Sequence, residues 1–208
     1  MIIRVDLPLL FNDDKFRERL IRHLTALSPE DRYTRFFTQA SDYFIEAYVD
    51  RILRSDKDGL FLRYNDAGED VIGMLNVSLI HAGTEGGSDG GMEFEMGISV
   101  DEQHRKHGIG YDLFAAAFSW VTALGAKRVF ISCLSTNTPM QKIVKKFNMA
   151  VSHDQGECNA ITLPDTFPGS PSMVGMVIGD TVNWYALYDL FYRRQLRMIW
   201  NAYAGVQP

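Results

Sequence analysis

The chain has 208 residues, 46% hydrophobic and 23% charged, which excludes a disordered tail, a collagen-like chain and a disulfide miniprotein. At this length about 70% of the unfolded chain's surface can be buried, so a core forms without staples. Two cysteines, Cys133 and Cys158, point to a reducing compartment, and a formal net charge of −5 argues against a dedicated nucleic-acid binder, whose phosphate contacts need a broad Lys/Arg surface.

Asp6, Asp13 and Asp14 stand where a signal peptide would be apolar, and no run of about 18 apolar residues occurs, so a cytoplasmic protein without a membrane span is expected. Residues 2–7 read as a first strand ended by Pro8. Asn12 is placed as the N-cap of a helix on which Phe16, Leu20, Leu24 and Leu27 recur at helical spacing. Ser28-Pro29-Glu30-Asp31 combines a cap residue, a first-turn proline and two acids, a strong start signal for a short helix carrying Tyr33, Phe36 and Phe37. Ser41 opens a further helix with Phe44, Ile45, Tyr48, Val49 and Ile52 on one side.

From Gly59 the period changes to that of strands, with a hairpin over 60–64 and 71–80 turning at Asn65-Asp66-Ala67-Gly68. Five glycines among the twelve residues 81–92 predict a mobile loop. A strand over 93–100 then leads through a polar segment to Gly108 and an apolar helix stopped by Gly125. Residues 129–134 read as a buried strand, and Asn137 opens a helix with Met140, Ile143, Val144 and Phe147 inward. This succession of strand, helix, strand and helix implies a parallel crossover within a mixed sheet. One or two strands and a loop are expected over 151–178. Residues 180–203 read as a helix apolar on two sides, buried or shared with a second copy. The division is thus a main domain over 1–178 and a helical extension over 179–208.

The stretch of most chemical interest is Arg105-Lys106-His107-Gly108-Ile109-Gly110. A strand feeds a short loop, and the loop ends at glycines where a helix begins. Several backbone N–H groups without intrahelical partners then converge beside the densest basic cluster of an acidic chain, an arrangement that attracts phosphate. Leu113 stands where a dinucleotide fingerprint would need glycine or alanine, and no Gly-Lys-Ser/Thr occurs, which weakens the Rossmann and P-loop readings. Histidines 23, 81, 104, 107 and 153 show no metal-ligand spacing, so no metal is expected.

That stretch resembles the Arg/Gln-x-x-Gly-x-Gly/Ala pyrophosphate motif of the GNAT superfamily of acyl-CoA-dependent N-acyltransferases. The resemblance spans about residues 25–150. It includes Glu95 at the family's strand-four acidic position, Ala126-Lys127-Arg128-Val129 entering strand five, and Asn137 opening the next helix. Leu27-Ser28-Pro29-Glu30-Asp31-Arg32-Tyr33-Thr34-Arg35-Phe36-Phe37 and Asn137-Thr138-Pro139-Met140 are similar to segments of the bacterial protein-lysine acetyltransferase branch.

The resemblance implies an α/β fold in which a mixed, mostly antiparallel sheet has a parallel strand pair at the coenzyme cleft, with flanking helices and a C-terminal helix. Acetyl-CoA would lie between the splayed strands. Its pantetheine would run along Ile98, Ser99 and Val100, and its pyrophosphate would rest on Arg105, Lys106, His107, Gly108, Ile109, Gly110 and Tyr111. Asn137 would steady the pantetheine arm, with Met140 beside it. Gly97, a glycine inside a strand, is read as the bulge that opens the sheet, or as a point of close approach to another backbone. The activity implied is acetyl transfer to a primary amine. Glu95 is the candidate base; Glu93 lies two residues away on the same strand face, where a second carboxylate would raise one pKa. Solvated positions on a sheet face are the alternative for both. Val144 stands where many members carry a tyrosine acid, which keeps a non-catalytic acyl-CoA sensor open, and the aromatic C-terminal helix keeps an interaction protein open. A protein lysine, a polyamine, an amino acid and an aminoglycoside all remain as acceptors, and the C-terminal helix is a candidate homodimer surface.

Overall fold

The computed structural model describes residues 2–5, 13–81, 91–154 and 156–162. Of the loop expected over 81–92, His81 and Met92 are strand residues and 82–90 lie outside the described residues, as do residues 163–208 with their expected helix and the domain division. In chain order the elements are β1 (Ile2–Val5), α1 (Asp14–Thr25), α2 (Pro29–Phe36), α3 (Asp42–Arg54), β2 (Gly59–Tyr64), β3 (Val71–His81) and β4 (Met92–Val100). A single 3₁₀ turn (Glu102–His104) precedes α4 (Ile109–Ala123), β5 (Ala126–Leu134), α5 (Thr138–Lys146), β6 (Ala150–Asp154) and β7 (Glu157–Ile161).

The strands form one sheet in the order β1-β2-β3-β4-β5-β7-β6, antiparallel except for the β4–β5 pair. This is the mixed sheet with one parallel pair that the sequence implies. Its two faces carry separate cores. Leu20, Leu24, Ile45, Ile52, Leu60, Leu62 and Met74 pack beneath α1 and α3. Phe61, Leu75, Val77, Phe94, Val129 and Ile131 pack beneath α4 and α5, because alternate strand residues point to opposite faces.

Two expectations are corrected. The first long helix is capped by Asp13, not Asn12: the Asp13 carboxylate accepts from the Phe16 N–H at 3.0 Å, and Leu27 is buried beyond the helix end at Thr25. Gly97 is not a bulge. The β3–β4 register runs unbroken from Gly73 opposite Val100 to Leu79 opposite Phe94, with Gly97 opposite Asn76. The sheet opens because β5 leaves β4 after the pair Glu95–Phe130 and continues along β7.

Candidate functional site

Where β4 and β5 part, a cleft of about 960 Å³ runs from α2 and α3 across the ends of the strands to α4 and α5. Ile98, Ser99 and Val100 of β4 line it, as do Arg105, Lys106, Gly108, Ile109, Gly110 and Tyr111 of the loop and first turn of α4, and Asn137 and Met140 of α5. His107 is exposed and is not part of the lining.

The loop is shaped by two residues with positive φ, Lys106 at 65° and Gly108 at 81°. Gly108 is the N-cap of α4 and no side chain caps that helix, so its first amides stay open toward the cleft. Lys106, Lys142 and Lys146 add positive charge along the same walls, and the Lys146 ammonium lies 4.7 Å from the centre of the Tyr111 ring. A diphosphate fits this setting: open amides, a glycine in the left-handed region and three ammonium groups.

Arg105 is committed within the protein. Its Nε donates to the Val100 carbonyl at 3.1 Å and its Nη2 lies 2.9 Å from Asp31 Oδ1. Burial raises the pKa of the Asp31 carboxyl, yet the hydrogen bonds from Arg105 and Ser28 and the charge of Arg105 outweigh it, so the group sits below the ordinary carboxylate range. Asn137 Oδ1 accepts from the Met140 N–H at 3.1 Å and so caps α5. Val144 is fully buried in the core.

The two candidate acids separate. Glu95 is exposed, lines the cleft and stands at the last β4–β5 pair. Glu93 is outside the lining and is paired with Arg128 of β5 at 2.7 Å.

Three residues of the site escaped sequence reasoning. His23 of α1 is buried. Its Nδ1 lies 3.0 Å from both the Val71 carbonyl and Asp101 Oδ1, two acceptors, so Nδ1 carries a proton, and its Nε2 is in hydrogen-bond contact with Ser99 Oγ at 2.9 Å. This ring fixes the end of β4 and the start of the loop, but a single histidine in a helix carries no such signal. Arg35 lays its guanidinium over Gly97, and Arg51 lines the wall beside it. The only available hint of the first was the glycine in mid-strand. Among the described residues no three His, Cys, Asp or Glu side chains gather as a metal site, and no helix is long and apolar enough to cross a membrane.

A strand pair opened beside a glycine-capped helix, with a carboxylate at the fork, leaves room for a diphosphate-bearing coenzyme next to an acid. Residues 19–149 match the model of the Acetyltransferase (GNAT) family, and the chain belongs to that family of acyl-CoA-dependent N-acyltransferases. Solved structures share the fold. The GNAT domain of S. lividans PAT superposes with a TM-score of 0.60 at 20% identity, covering 77% of this chain and 88% of that one. A GCN5-related N-acetyltransferase from Brucella melitensis gives 0.56 at 17% identity, covering 80% and 77%. Arabidopsis thaliana NAA60 in complex with acetyl-CoA gives 0.52 at 12% identity, covering 77% and 96%. No curated protein matches the chain.

Proposed function

We propose that the protein transfers an acetyl group from acetyl-CoA to a primary amine by direct attack in a ternary complex, with Glu95 as the base. The observation that carries this reading is the exposed Glu95 carboxylate at the point where β4 and β5 part, on the same cleft as the open amides of α4. An alkylammonium with a pKa of about 10.4 is almost wholly protonated at neutral pH, so a proton must leave before nitrogen can attack. Glu95 takes that proton directly or through a water. The nitrogen–carbon bond forms, the carbon–sulfur bond breaks, and the departing thiolate takes up the second proton, which the nitrogen sheds as it becomes an amide, so that CoA leaves as the thiol. With a thiol pKa of about 8.5 it needs little help, which suits the apolar Val144. An N–H near Ile98 polarises the thioester oxygen. Glu93, neutralised by Arg128, supports the base from outside the cleft at most.

Glu95→Gln tests the assignment. Turnover of acetyl-CoA with an amine panel falls by about 10²-fold or more while coenzyme affinity holds. Intact turnover removes Glu95 from the chemistry, and coenzyme binding without turnover of any amine makes the protein an acyl-CoA sensor. The acceptor is a protein lysine or a small amine; the likeness to the S. lividans domain, at 20% identity, speaks for the fold alone. A cytoplasmic location and a homodimer through residues 180–208 complete the reading, and size measurements before and after deleting that segment test the dimer.

A further inference from the structure

Opposite the α4 loop, the α2 and α3 end of the cleft holds a cation that has no counter-ion among the described residues. Arg35 of α2 spreads its guanidinium over Gly97, so that a Cβ at that glycine would overlap Cζ and both terminal nitrogens. Among the described residues its hydrogen bonds leave from Nη2, to Tyr48 Oη at 2.6 Å and Asn76 Oδ1 at 3.3 Å, and both partners are neutral. The rings of Phe36 and Tyr48 lie 5.0 and 5.5 Å from Cζ. Nε is buried with no partner, and among the described residues no carboxylate pairs with this side chain. Arg51, one turn beyond Tyr48 on α3, brings a second guanidinium to 5.3 Å from the same ring. Its tie to Asp58 is long, at 3.5 Å.

A half-buried charge is costly unless it is paired, and ring contacts offset only part of that cost. The two other acids near this end do not answer it: Asp31 is bonded to Arg105, and Glu95 is the candidate base. Glu95 and Gly97 are two residues apart on one face of β4, about 7 Å along the strand, and the guanidinium covers Gly97. An ammonium and a carboxylate joined by a short carbon chain span that gap.

Resting on the acetyl-transfer reading, we propose that the acceptor is a small amine that also carries a carboxylate. Arg35 binds the carboxylate through Nη1, Arg51 adds attraction from the wall, and the amine is left facing Glu95. Polyamines and aminoglycosides, which bring several positive charges to two guanidinium groups, are repelled. Gly97 has its role here, since any side chain would lift Arg35 off the strand.

The test compares each amino acid with its own carboxamide at equal concentrations of free base, with spermidine as the polycation, and follows CoA release. At least a tenfold higher kcat/KM for the acids is expected. Arg35→Gln erases that preference through KM, leaves acetyl-CoA binding by calorimetry unchanged, and Arg35→Lys restores part of it. The comparison among substrates needs only the native protein, so a variant that fails to fold does not decide it. Equal use of acid and carboxamide, or preference for spermidine, overturns the inference and leaves the transferase reading standing. Absence of coenzyme binding, or of turnover with every amine, overturns that reading and the inference together.

Discussion

Gly108 and Gly110, two residues apart in the loop–helix junction, have opposite tolerances for a side chain. Gly108 sits at φ 81°, where a Cβ meets the neighbouring carbonyl, although nothing else stands within 4 Å. Gly110 is ordinary helix, and a Cβ there would find Ile143 Cδ1 at 3.6 Å, a normal contact. Gly108→Ala is therefore expected to cost about 1–2 kcal/mol and to weaken coenzyme binding by reshaping the amides. Gly110→Ala keeps binding and gains up to about 1 kcal/mol, because alanine is the better helix former. Thermal melts and calorimetry with CoA on the two variants check this pair, and equal losses in both would refute it. The bulky Tyr111 that follows does not close the cleft: it leans towards Phe147, with ring centres 5.6 Å apart, and remains exposed.

At the scale of elements, what was legible in the sequence was what local chemistry dictates. Ser28 caps α2, with its Oγ accepting from the Asp31 N–H at 3.1 Å, and Ser41 caps α3 in the same way. Gly125, at φ 81°, ends α4 as its composition promises. The Gly-x-Gly helix start and the exposed Glu95 also lie where their spacing suggests. What could not be read is pairing across distance. Asp31 looks like a first-turn acid, Arg35 like a solvated helix charge and Gly97 like a bulge, because nothing local couples residues 35 and 97 or 31 and 105. The Asp31–Arg105 pair joins α2, which buries no residue fully, to the coenzyme loop. Its pH dependence has a definite sign. The folded-state pKa of Asp31 is below the ordinary 3.8, so the stability it contributes is present above that value and is lost as pH falls through the lower folded one. Asp31→Asn is thus less stable than the native protein at pH 7, and the gap narrows below about pH 3.8. Melting curves of both proteins from neutral to acid pH check it; a gap of constant size would mean that the pair contributes no linked protonation.

At the scale of the whole molecule, the sheet is two blocks joined by a short seam. β1 to β4 form one antiparallel block and β5, β7 and β6 another, while the parallel pairing between them covers only Met92 to Glu95 on β4. That brevity makes the cleft, and it leaves side-chain packing to hold the halves together. Phe94 is at the centre of the seam, 1% exposed, opposite Val129 and with its ring 6.1 Å from that of Trp120 on α4. Phe94→Ala leaves a cavity at that joint and is expected to cost about 3–5 kcal/mol. For a chain of this length the melting temperature drops by roughly 10 °C. The loss should be unevenly spread. Amide exchange of Ile131 and Ala160, which face each other across β5 and β7, should accelerate more than that of Phe61 and Leu75 across β2 and β3, because the smaller block depends on the seam. Coenzyme at about a hundred times its Kd returns some 2.7 kcal/mol, and should restore protection on both sides of the fork. Equal acceleration in the two blocks would show that the sheet opens as a single unit and that the seam is no weaker than the rest.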